Sequence, residues 1–563
     1  MPAANHNHHG RDTSSASSLP LPRTVSQPTV SLHRPASVCM HSVDAGAAAA
    51  NAGAATAGAD SATGTGATSP AAASHVDWSR VRLGVDAAPT MFIANWSPDT
   101  CRWDGGELVP YGPLTLLPAA QVLNYGQSIF EGLKAYRFDG GSDAAAAAAE
   151  HRVLLFRPDA NAARFEAGAR RMCMPPVPSA MFLAAVQAVA RANAAWVPPP
   201  ARGSLYIRPL LLGTGPLLGL CPAPSYTFLV YAVPVGGRAK EGRLVPLDYL
   251  IHESRHRAAP RGVGSTKAAG NYSPCLLAQA EARAQGCHDC IYLDAKSDTY
   301  LEEGSGCNVF MTRGSVVTTP PAAGSILPGI TRASLLQLAA ALGYAVREAP
   351  ISWKEALQAD EMFGSGTALV VQPIRSVTFK GRRVMFCRTS SSNGTSVDDG
   401  ESAANGHANE HANGNGQANG HANGCYANCN GCVRNASSDS SDNGEVEVET
   451  EKPTGEDEGA AAAAAIVTVD DSESESAGLS YDFGGKTAAE LQPKDRAALA
   501  SFAPVPELAS LPPGVGPIAH RLYSLLTGIQ YGRAPDPFGW MVEVDMRGPT
   551  GTSPSLSSLS HGE

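Results

Sequence analysis

The sequence lacks three features that would each define a class of protein. It has no run of 18 apolar residues, so no membrane-spanning helix is expected. Its 12 cysteines are scattered over 563 residues, unlike the dense, regular spacing of a secreted disulfide scaffold. It also has no basic stripe, which argues against a nucleic acid as the main partner.

The net charge of −10 comes from one segment of the chain. Residues 437–476 contain 13 acidic residues against the single Lys452, which gives −12, so the rest of the chain sums to +2. The part of the chain that we expect to fold is therefore close to neutral.

Three stretches have too little apolar surface to form a core. Residues 45–74 are mostly Ala, Gly, Thr and Ser, residues 389–436 are mostly Ser, Asn, Gly, Ala and His, and residues 437–476 are acidic. Such compositions predict disorder. Removing the first 75 residues and 389–476 leaves about 400 residues, enough for one two-domain enzyme.

The N-terminus has the composition of an organelle transit peptide. Residues 1–43 contain Arg11, Arg23 and Arg34 among Ser, Pro and Ala, and their only acidic residue is Asp12. Transit peptides are rich in Ser and Arg and poor in acids. We interpret 1–75 as a transit peptide with a disordered spacer, destined for a plastid or, as the alternative, a mitochondrion; a plain disordered tail is a second alternative.

The cysteine spacing gives only a weak indication of a metal site. Cys287 and Cys290 form a CxxC pair, which alone has low specificity. Further cysteines and histidines lie in the low-complexity insert: Cys425, Cys429, Cys432, His407, His411 and His421. We interpret this cluster as a result of composition and expect no metal.

Hydrophobic patterning predicts alternating strands and helices in two units. Strand-like runs lie at 203–215 and 225–236, and amphipathic helices at 158–172 and 179–197. We also expect a helix near Ser128–Gly132, a Gly-rich loop entering a long helix over 262–286, and a final helix within 518–544. The predicted organisation is 1–75 transit peptide and spacer, 76–238 small α/β domain, 239–388 first part of a large domain, 389–479 disordered insert, 480–546 C-terminal part of the large domain, and 547–563 disordered tail.

Three local patterns point to chemistry, and each also has an ordinary explanation. Lys267 is flanked by small residues in "GSTKAAGNY", so a ligand could approach its amine, although most lysines are simply solvated. The helix predicted after "LPGIT", with Thr331 as N-cap, and the turn "GSGTAL" at 364–369 offer N–H groups to an anion. Ordinary capping and a hairpin turn would look the same. Of Glu302 and Glu303, which end a strand, one should face inward and need a partner while the other faces solvent. The ordinary explanation is that both lie on an exposed strand end.

The order of these patterns is more specific than any one of them. The runs "VLNYGQSIFEGLKAYR", "RPDANAARF", "GSLYIRPLLLGTG", "STKAAGNY", "YLEEGSGCNVF", "LPGITR" and "GSGTA" resemble the fold-type IV pyridoxal-phosphate enzymes. More narrowly, the chain is similar to the branched-chain aminotransferases of plants and algae. The resemblance covers about 80–388 and resumes around 480–545. It implies two α/β domains with the cofactor between them.

The resemblance assigns roles to individual residues. Lys267 matches the lysine that forms the Schiff base with pyridoxal 5'-phosphate. The remaining cofactor-binding residues that it implies are Arg164, Tyr272, Glu303, Ile330, Thr331 and Thr367. The substrate-binding residues that it implies are Tyr125, Phe130, Gly132, Tyr206, Arg208, Thr367 and Ala368.

The function implied by the resemblance is branched-chain-amino-acid transamination. Leu, Ile and Val would exchange their amino group with 2-oxoglutarate, with Lys267 as general base and acid. The family forms homodimers, so a homodimer is expected. Two alternatives are another enzyme of this fold (a D-amino-acid aminotransferase or an aminodeoxychorismate lyase) and a non-enzymatic protein that binds a partner through its acidic insert.

Overall fold

The computed structural model describes residue 78, residues 86–139, 152–200, 202–236 and 244–387, residue 483 and residues 485–547. The predicted transit and spacer segment, the insert at 389–479 with its cysteines and histidines, and the tail beyond Arg547 lie outside the described residues.

An antiparallel sheet of nine strands forms the first half of the described fold. Numbered along the chain, its strands are β1 Thr90–Ser97, β2 Arg102–Trp103, β3 Glu107–Pro110, β4 Ser128–Phe130, β5 Leu133–Arg137, β6 Val153–Phe156, β7 Gly203–Gly213, β8 Tyr226–Gly236 and β18 Met541–Glu543. Their order is β18-β6-β5-β7-β8-β1-β2, with β3 paired to β1 and β4 to β7.

Two long helices contribute to the core of this first sheet. The helices of this part are α1 Gln121–Tyr125, α2 Pro158–Arg171 and α3 Ser179–Ala192. Pro158 occupies the first turn of α2, where its missing N–H costs nothing. Phe165 of α2 and Phe182 of α3 pack against Phe228 of β8. The predicted helices at 158–172 and 179–197 are thus present, with the second ending at Ala192.

The central strand β7 separates core residues from site residues by simple alternation. Leu205, Ile207 and Leu211 are buried in the core, whereas the intervening Tyr206 and Arg208 are only partly buried. Successive side chains of a strand point to opposite faces. Tyr206 and Arg208 therefore share the face of the sheet opposite α2 and α3.

The helix predicted near Ser128–Gly132 is wrong. Helix α1 ends at Tyr125, where Gly126 adopts φ 66°, and Ser128–Phe130 form strand β4. Strand β4 pairs with Leu210–Leu212 of β7. The pairing with a distant strand overrides the local helical pattern.

A second nine-stranded sheet follows along the chain. Its strands are β9 Leu247–His252, β10 Asp289–Leu293, β11 Leu301–Gly304, β12 Asn308–Arg313, β13 Val316–Thr319, β14 Ala345–Glu348, β15 Glu361–Gly366, β16 Val370–Phe379 and β17 Arg382–Met385. Their order is β11-β10-β9-β16-β15-β12-β13-β14, with β17 on β16 and a further contact between β11 and β12. The pairs β9–β10, β9–β16 and β13–β14 are parallel.

Further helices lie in the second part of the chain, and three predictions made from the sequence change with the observed element bounds. The helices of this part are α4 Cys275–Ala284, α5 Ile330–Ala341, α6 Trp353–Ala356, α7 Pro493–Phe502 and α8 Pro517–Gln530. Single 3-10 turns lie at Ala269–Asn271, Ala488–Glu490 and Leu508–Ser510, and a further one at Ala194–Trp196 follows α3 in the first part. Lys267 lies in the loop well before α4. Gly329, and not Thr331, is the N-cap of α5. The turn after β15 comprises 367–369, because Gly364–Gly366 still belong to the strand.

The C-terminal segment contacts both sheets. Helix α8 packs against β15 and β16 of the second sheet and also contacts β6 of the first. Strand β18 instead pairs with Leu154–Phe156 of β6 in the first sheet. In the described part of the chain, no helix is long and apolar enough to span a membrane.

Candidate active site

Lys267 projects its amine into a group of aromatic side chains between the two sheets. Its Nζ donates to the Tyr272 hydroxyl at 3.1 Å and lies 4.7 Å from the centre of the Phe130 ring. The backbone of Lys267 is also fixed, because its carbonyl accepts from the Phe130 N–H at 3.1 Å. The loop of the lysine is thereby attached to strand β4 of the first sheet.

Glu303 is the inward-facing member of the acidic pair. It is 2% exposed, and its Oε1 accepts from Arg257 at 2.6 Å and from the Leu327 N–H at 2.9 Å. Burial raises the pKa of Glu303 to about 7, even though the charge of Arg257 opposes this. Glu302 is also buried, and Ser325 donates to it, so the expectation that one of the two acids faces solvent is wrong. Burial raises the pKa of the Glu302 carboxyl as well.

Arg164 of α2 is buried and forms a bidentate ion pair with Glu131. Its Nε and Nη2 donate to the two oxygens of Glu131 at 2.7 and 2.8 Å, and its Nη1 donates to the Pro328 carbonyl at 2.8 Å. Burial by itself would raise the pKa of Glu131, but the charge and hydrogen bonds of Arg164 outweigh it and hold that pKa below its ordinary value. The fully buried pair fixes α2 against the loop that precedes α5.

That same loop leads to the predicted anion-binding helix start. Leu327 and Pro328 bind Glu303 and Arg164, and Ile330 and Thr331 then form the first turn of α5. The N–H groups of a first helical turn have no partner within the helix and carry the positive end of its dipole. They lie in sequence directly beside the residues that hold the two buried charges.

Five of the residues predicted to bind substrate lie close to one another: Phe130, Gly132, Tyr206, Arg208 and Thr367. Arg208 lies 4.7 Å from the Phe130 ring and donates to the Tyr206 hydroxyl at 3.3 Å. The Thr367 hydroxyl donates to the Gly132 carbonyl at 3.1 Å. A Cβ at position 132 would lie 1.8 Å from the Tyr206 hydroxyl, so only glycine fits there.

Tyr125 and Ala368 occupy different places from the rest of this set. The Ala368 carbonyl accepts from Lys134 at 3.2 Å, which fastens the turn to strand β5. Tyr125 ends helix α1 with 44% of its surface exposed. Helix α1 is held against residues 215–219, since Gln121 donates to the carbonyls of Leu217 and Gly219.

Sequence reasoning missed four residues of this site: Glu131, Lys134, Arg257 and Asn308. Glu131 was detectable in part, because it is a lone acid within the apolar run "SIFEGL" and a buried carboxylate needs a partner. Arg257 lies among several exposed arginines and histidines, and nothing in its neighbourhood marks it. The CxxC pair has no site role here: Cys287 and Cys290 are buried free thiols.

Comparison with known proteins gives the same family as these residues. The model of the amino-transferase class IV family matches residues 129–377. Branched-chain-amino-acid aminotransferase 3, a chloroplastic protein of Arabidopsis thaliana, is 46% identical over 315 residues, which cover 55% of this chain and 73% of that protein. This chain belongs to the class IV aminotransferase family. The predicted resemblance and fold class are confirmed.

Two further class IV relatives illustrate the range of the match. Branched-chain amino acid aminotransferase 1, a mitochondrial protein of Humulus lupulus, is 45% identical over 314 residues, 56% of this chain and 77% of that protein. A crystal structure of the Escherichia coli branched-chain amino acid aminotransferase matches at 30% identity with a TM-score of 0.44, covering 53% of this chain and 90% of that one.

Class IV aminotransferases use pyridoxal 5'-phosphate, and the donor set of this site fits that cofactor. Lys267 supplies an amine for its aldehyde, next to a tyrosine hydroxyl that can bind its phenolic oxygen. Glu303 supplies a buried carboxylate for its ring nitrogen. The first turn of α5 supplies N–H groups for its phosphate. The amine, the carboxylate and the anion site thus match the aldehyde, the ring nitrogen and the phosphate of the cofactor.

Proposed function

We propose that this class IV aminotransferase transfers amino groups between branched-chain L-amino acids (Leu, Ile and Val) and 2-oxoglutarate. The position of Lys267 carries the proposal: its amine faces the Tyr272 hydroxyl at 3.1 Å and the Phe130 ring at 4.7 Å. An amine among aromatic side chains can hold a carbonyl compound and then serve as a base. The names of the relatives support the choice of branched-chain substrates.

Lys267 would perform both covalent and proton-transfer steps. Its amine would hold the cofactor through the aldehyde, and Nζ would act as the base that removes the proton from the Cα of the bound substrate. When bound, pyridoxal 5'-phosphate accepts the electron pair left at Cα. Tyr272 keeps the lysine amine in position, since the two groups are hydrogen-bonded.

The other cofactor residues would hold the group in one orientation. Glu303 would pair with the ring nitrogen, and Arg164 would place positive charge near the phosphate. The N–H groups of Ile330 and Thr331 and the hydroxyl of Thr367 would complete the phosphate site.

Substrate binding would use the group of residues that includes Phe130 and the 367–369 turn. Tyr206, Arg208 and the N–H groups of Thr367 and Ala368 would bind the carboxylate. Phe130 and the backbone of Gly132, which has no side chain, would line an apolar pocket for the side chain of the substrate. One methylene in such a pocket is worth only about 1–3 kcal/mol, so Leu, Ile and Val should all be accepted.

The proposed assembly is a homodimer. Exposed apolar side chains lie on helix α1 and the segment that holds it, a surface that we name the α1 patch: Leu117, Leu123, Tyr125, Leu217, Leu218 and Leu220. Leu218 and Leu220 are 80% and 92% exposed. Clustered exposed leucines indicate a protein-binding surface. Tyr125 would then complete the substrate pocket of the partner subunit, which reconciles its predicted role with its exposure.

We also propose two domains and a plastid location. Residues 76–238, which carry every strand of the first sheet except β18, would form the small domain, and residues 239–388 together with 480–546 the large domain. The Arg- and Ser-rich composition of 1–75 and the chloroplastic relative support a plastid. Fusion of residues 1–75 to a fluorescent protein tests the location: accumulation in mitochondria or cytosol would contradict it.

The activity is tested with purified protein and pyridoxal 5'-phosphate. We expect a visible absorbance band that L-leucine bleaches and 2-oxoglutarate restores, and that D-alanine leaves unchanged. Lys267→Ala should abolish the band, while Lys296→Ala, which changes an exposed lysine, should not. Absence of the band in the wild-type protein would contradict the proposal, and bleaching by D-alanine alone would indicate the D-amino-acid enzyme.

A further inference from the structure

Arg257 is a buried cation that the proposed catalytic steps do not use. It lies in the loop after β9, and its side chain is 1% exposed. Burying a guanidinium is costly unless a charged partner compensates it. Its partner is Glu303, at 2.6 Å, with a side chain that is 3% exposed.

The two carboxylate oxygens of Glu303 have different hydrogen-bond partners. Oε1 accepts from both Arg257 and the Leu327 N–H. Among the described residues, Oε2 accepts only from the Asn308 side chain, at 3.4 Å, which is long for a hydrogen bond. Oε2 is therefore the oxygen left to bind a further donor.

Arg257 also contacts the second residue that faces the cofactor. Its guanidinium lies 5.9 Å from the centre of the Tyr272 ring, within the range of a cation–π contact. Its Nη1 is near the carbonyls of Gly264 and Ser325, at 3.4 and 3.3 Å. These contacts come from the loop before Lys267 and the loop before α5, so the position of Arg257 is fixed from both sides.

We propose that Arg257 is a positioning residue that keeps Glu303 ionised and directs its free oxygen to the ring nitrogen of pyridoxal 5'-phosphate. The inference rests on the proposed function. A carboxylate buried without a cation takes up a proton. A neutral Glu303 could no longer stabilise a protonated ring nitrogen, and the ring would be a weaker electron acceptor.

The experiment measures the protonation state of Glu303 directly, in protein freed of cofactor. Infrared difference spectra at about pH 8, above the pKa of about 7, compare the wild type with Arg257→Met, Arg257→Lys and the double variant Arg257→Met/Glu303→Gln. We expect Arg257→Met to gain the carbonyl stretch of a protonated carboxyl group. The band should be absent from the double variant and from Arg257→Lys, which keeps the charge.

Cofactor affinity and kinetics give the second measurement. Arg257→Met should bind pyridoxal 5'-phosphate about 10- to 100-fold more weakly, as is typical when a supporting partner of a site is removed. Its kcat should fall while KM for leucine changes little, since the substrate is held elsewhere. The control Arg255→Met removes a half-exposed arginine that pairs with Glu281 and should behave as the wild type.

Each outcome has a distinct meaning. If Arg257→Met keeps the wild-type infrared spectrum and cofactor affinity, Arg257 only fills space and the inference is wrong. If Arg257→Met does not fold, the double variant, which no longer carries the Glu303 carboxylate, should fold; failure of that variant too would also overturn the inference. If the wild type binds no pyridoxal 5'-phosphate, the proposed function fails, whereas the infrared comparison still decides whether Arg257 holds the charge of Glu303.

Discussion

Gly132 is the residue of the site with the least space for a side chain. Any Cβ there would meet the Tyr206 hydroxyl at 1.8 Å, and the Gly132 carbonyl accepts from Thr367. Tyr206 is held in turn by Arg208. One added methyl group would therefore displace two of the side chains that we propose to bind the carboxylate.

Gly132→Ala should reduce both substrate binding and stability. We expect kcat/KM for leucine to fall about tenfold or more, since about 1.4 kcal/mol corresponds to a factor of ten, and stability to fall by about 1–3 kcal/mol from overpacking. Steady-state kinetics and urea unfolding measure the two effects. Gly112→Ala, at a site with space for a methyl group, is the control. Unchanged kinetics in Gly132→Ala would show that Tyr206 does not bind substrate.

How far single residues could be predicted depends on where their partners lie. Lys267 and Tyr272 are five residues apart and belong to one sequence motif, so the sequence indicates both together. Glu131 and Arg164 are 33 residues apart, and Thr367 and Gly132 are 235 apart. Only the fold brings these pairs together, which is why the partners Glu131 and Arg257 were missed although Arg164 and Glu303 were found.

At the level of elements, the start of helix α8 depends on one buried carboxyl group. Glu361, the first residue of β15, is 4% exposed and accepts from the N–H groups of Ile518 and Ala519 at 3.0 and 3.1 Å. Glu361 thus caps α8 from outside the helix, because Gly516 offers no side chain to do so. Burial raises its pKa to about 7 despite these two hydrogen bonds.

This raised pKa predicts a pH-dependent stability. The folded protein binds the Glu361 proton more tightly than the unfolded chain does, so the contribution is complete below about pH 4.5 and is lost as the pH rises through 7. This difference in the pKa of Glu361 between the folded and unfolded chain corresponds to about 3 kcal/mol in the free energy of unfolding. Urea unfolding of wild type and Glu361→Gln at about pH 5 and about pH 8 isolates this group, because all others titrate in both proteins. If the free energy of unfolding changes by the same amount between the two pH values in both proteins, Glu361 is not the group responsible.

Elements with strong local periodicity were predictable, and elements defined by pairing were not. Helices α2 and α3 and strands β7 and β8 follow the apolar spacing of the sequence. Strand β4 does not, because three residues cannot establish a period and its hydrogen bonds come from β7. The boundary at Gly329 was missed by two residues, since the glycine cap has no side chain to mark it.

At the level of the whole molecule, the α1 patch predicts self-association. Leu220→Asp places a charge at the most exposed leucine of the patch, and we expect it to convert a dimer into monomers in sedimentation experiments. Activity should fall with dissociation if Tyr125 serves the pocket of the partner subunit. Leu276→Asp changes an exposed leucine of α4 outside the patch and should remain dimeric. A monomeric, fully active wild type would contradict the proposed assembly.

The pairing of β18 with β6 has a consequence for how the chain is made. Strand β6 comprises Val153–Phe156, whereas its neighbour Met541–Glu543 is synthesised much later, after all strands of the second sheet. Domains commonly fold in order during synthesis. Here the first sheet to be translated is the last to be completed, so a chain interrupted anywhere before Met541 exposes an open strand edge that can pair with other chains.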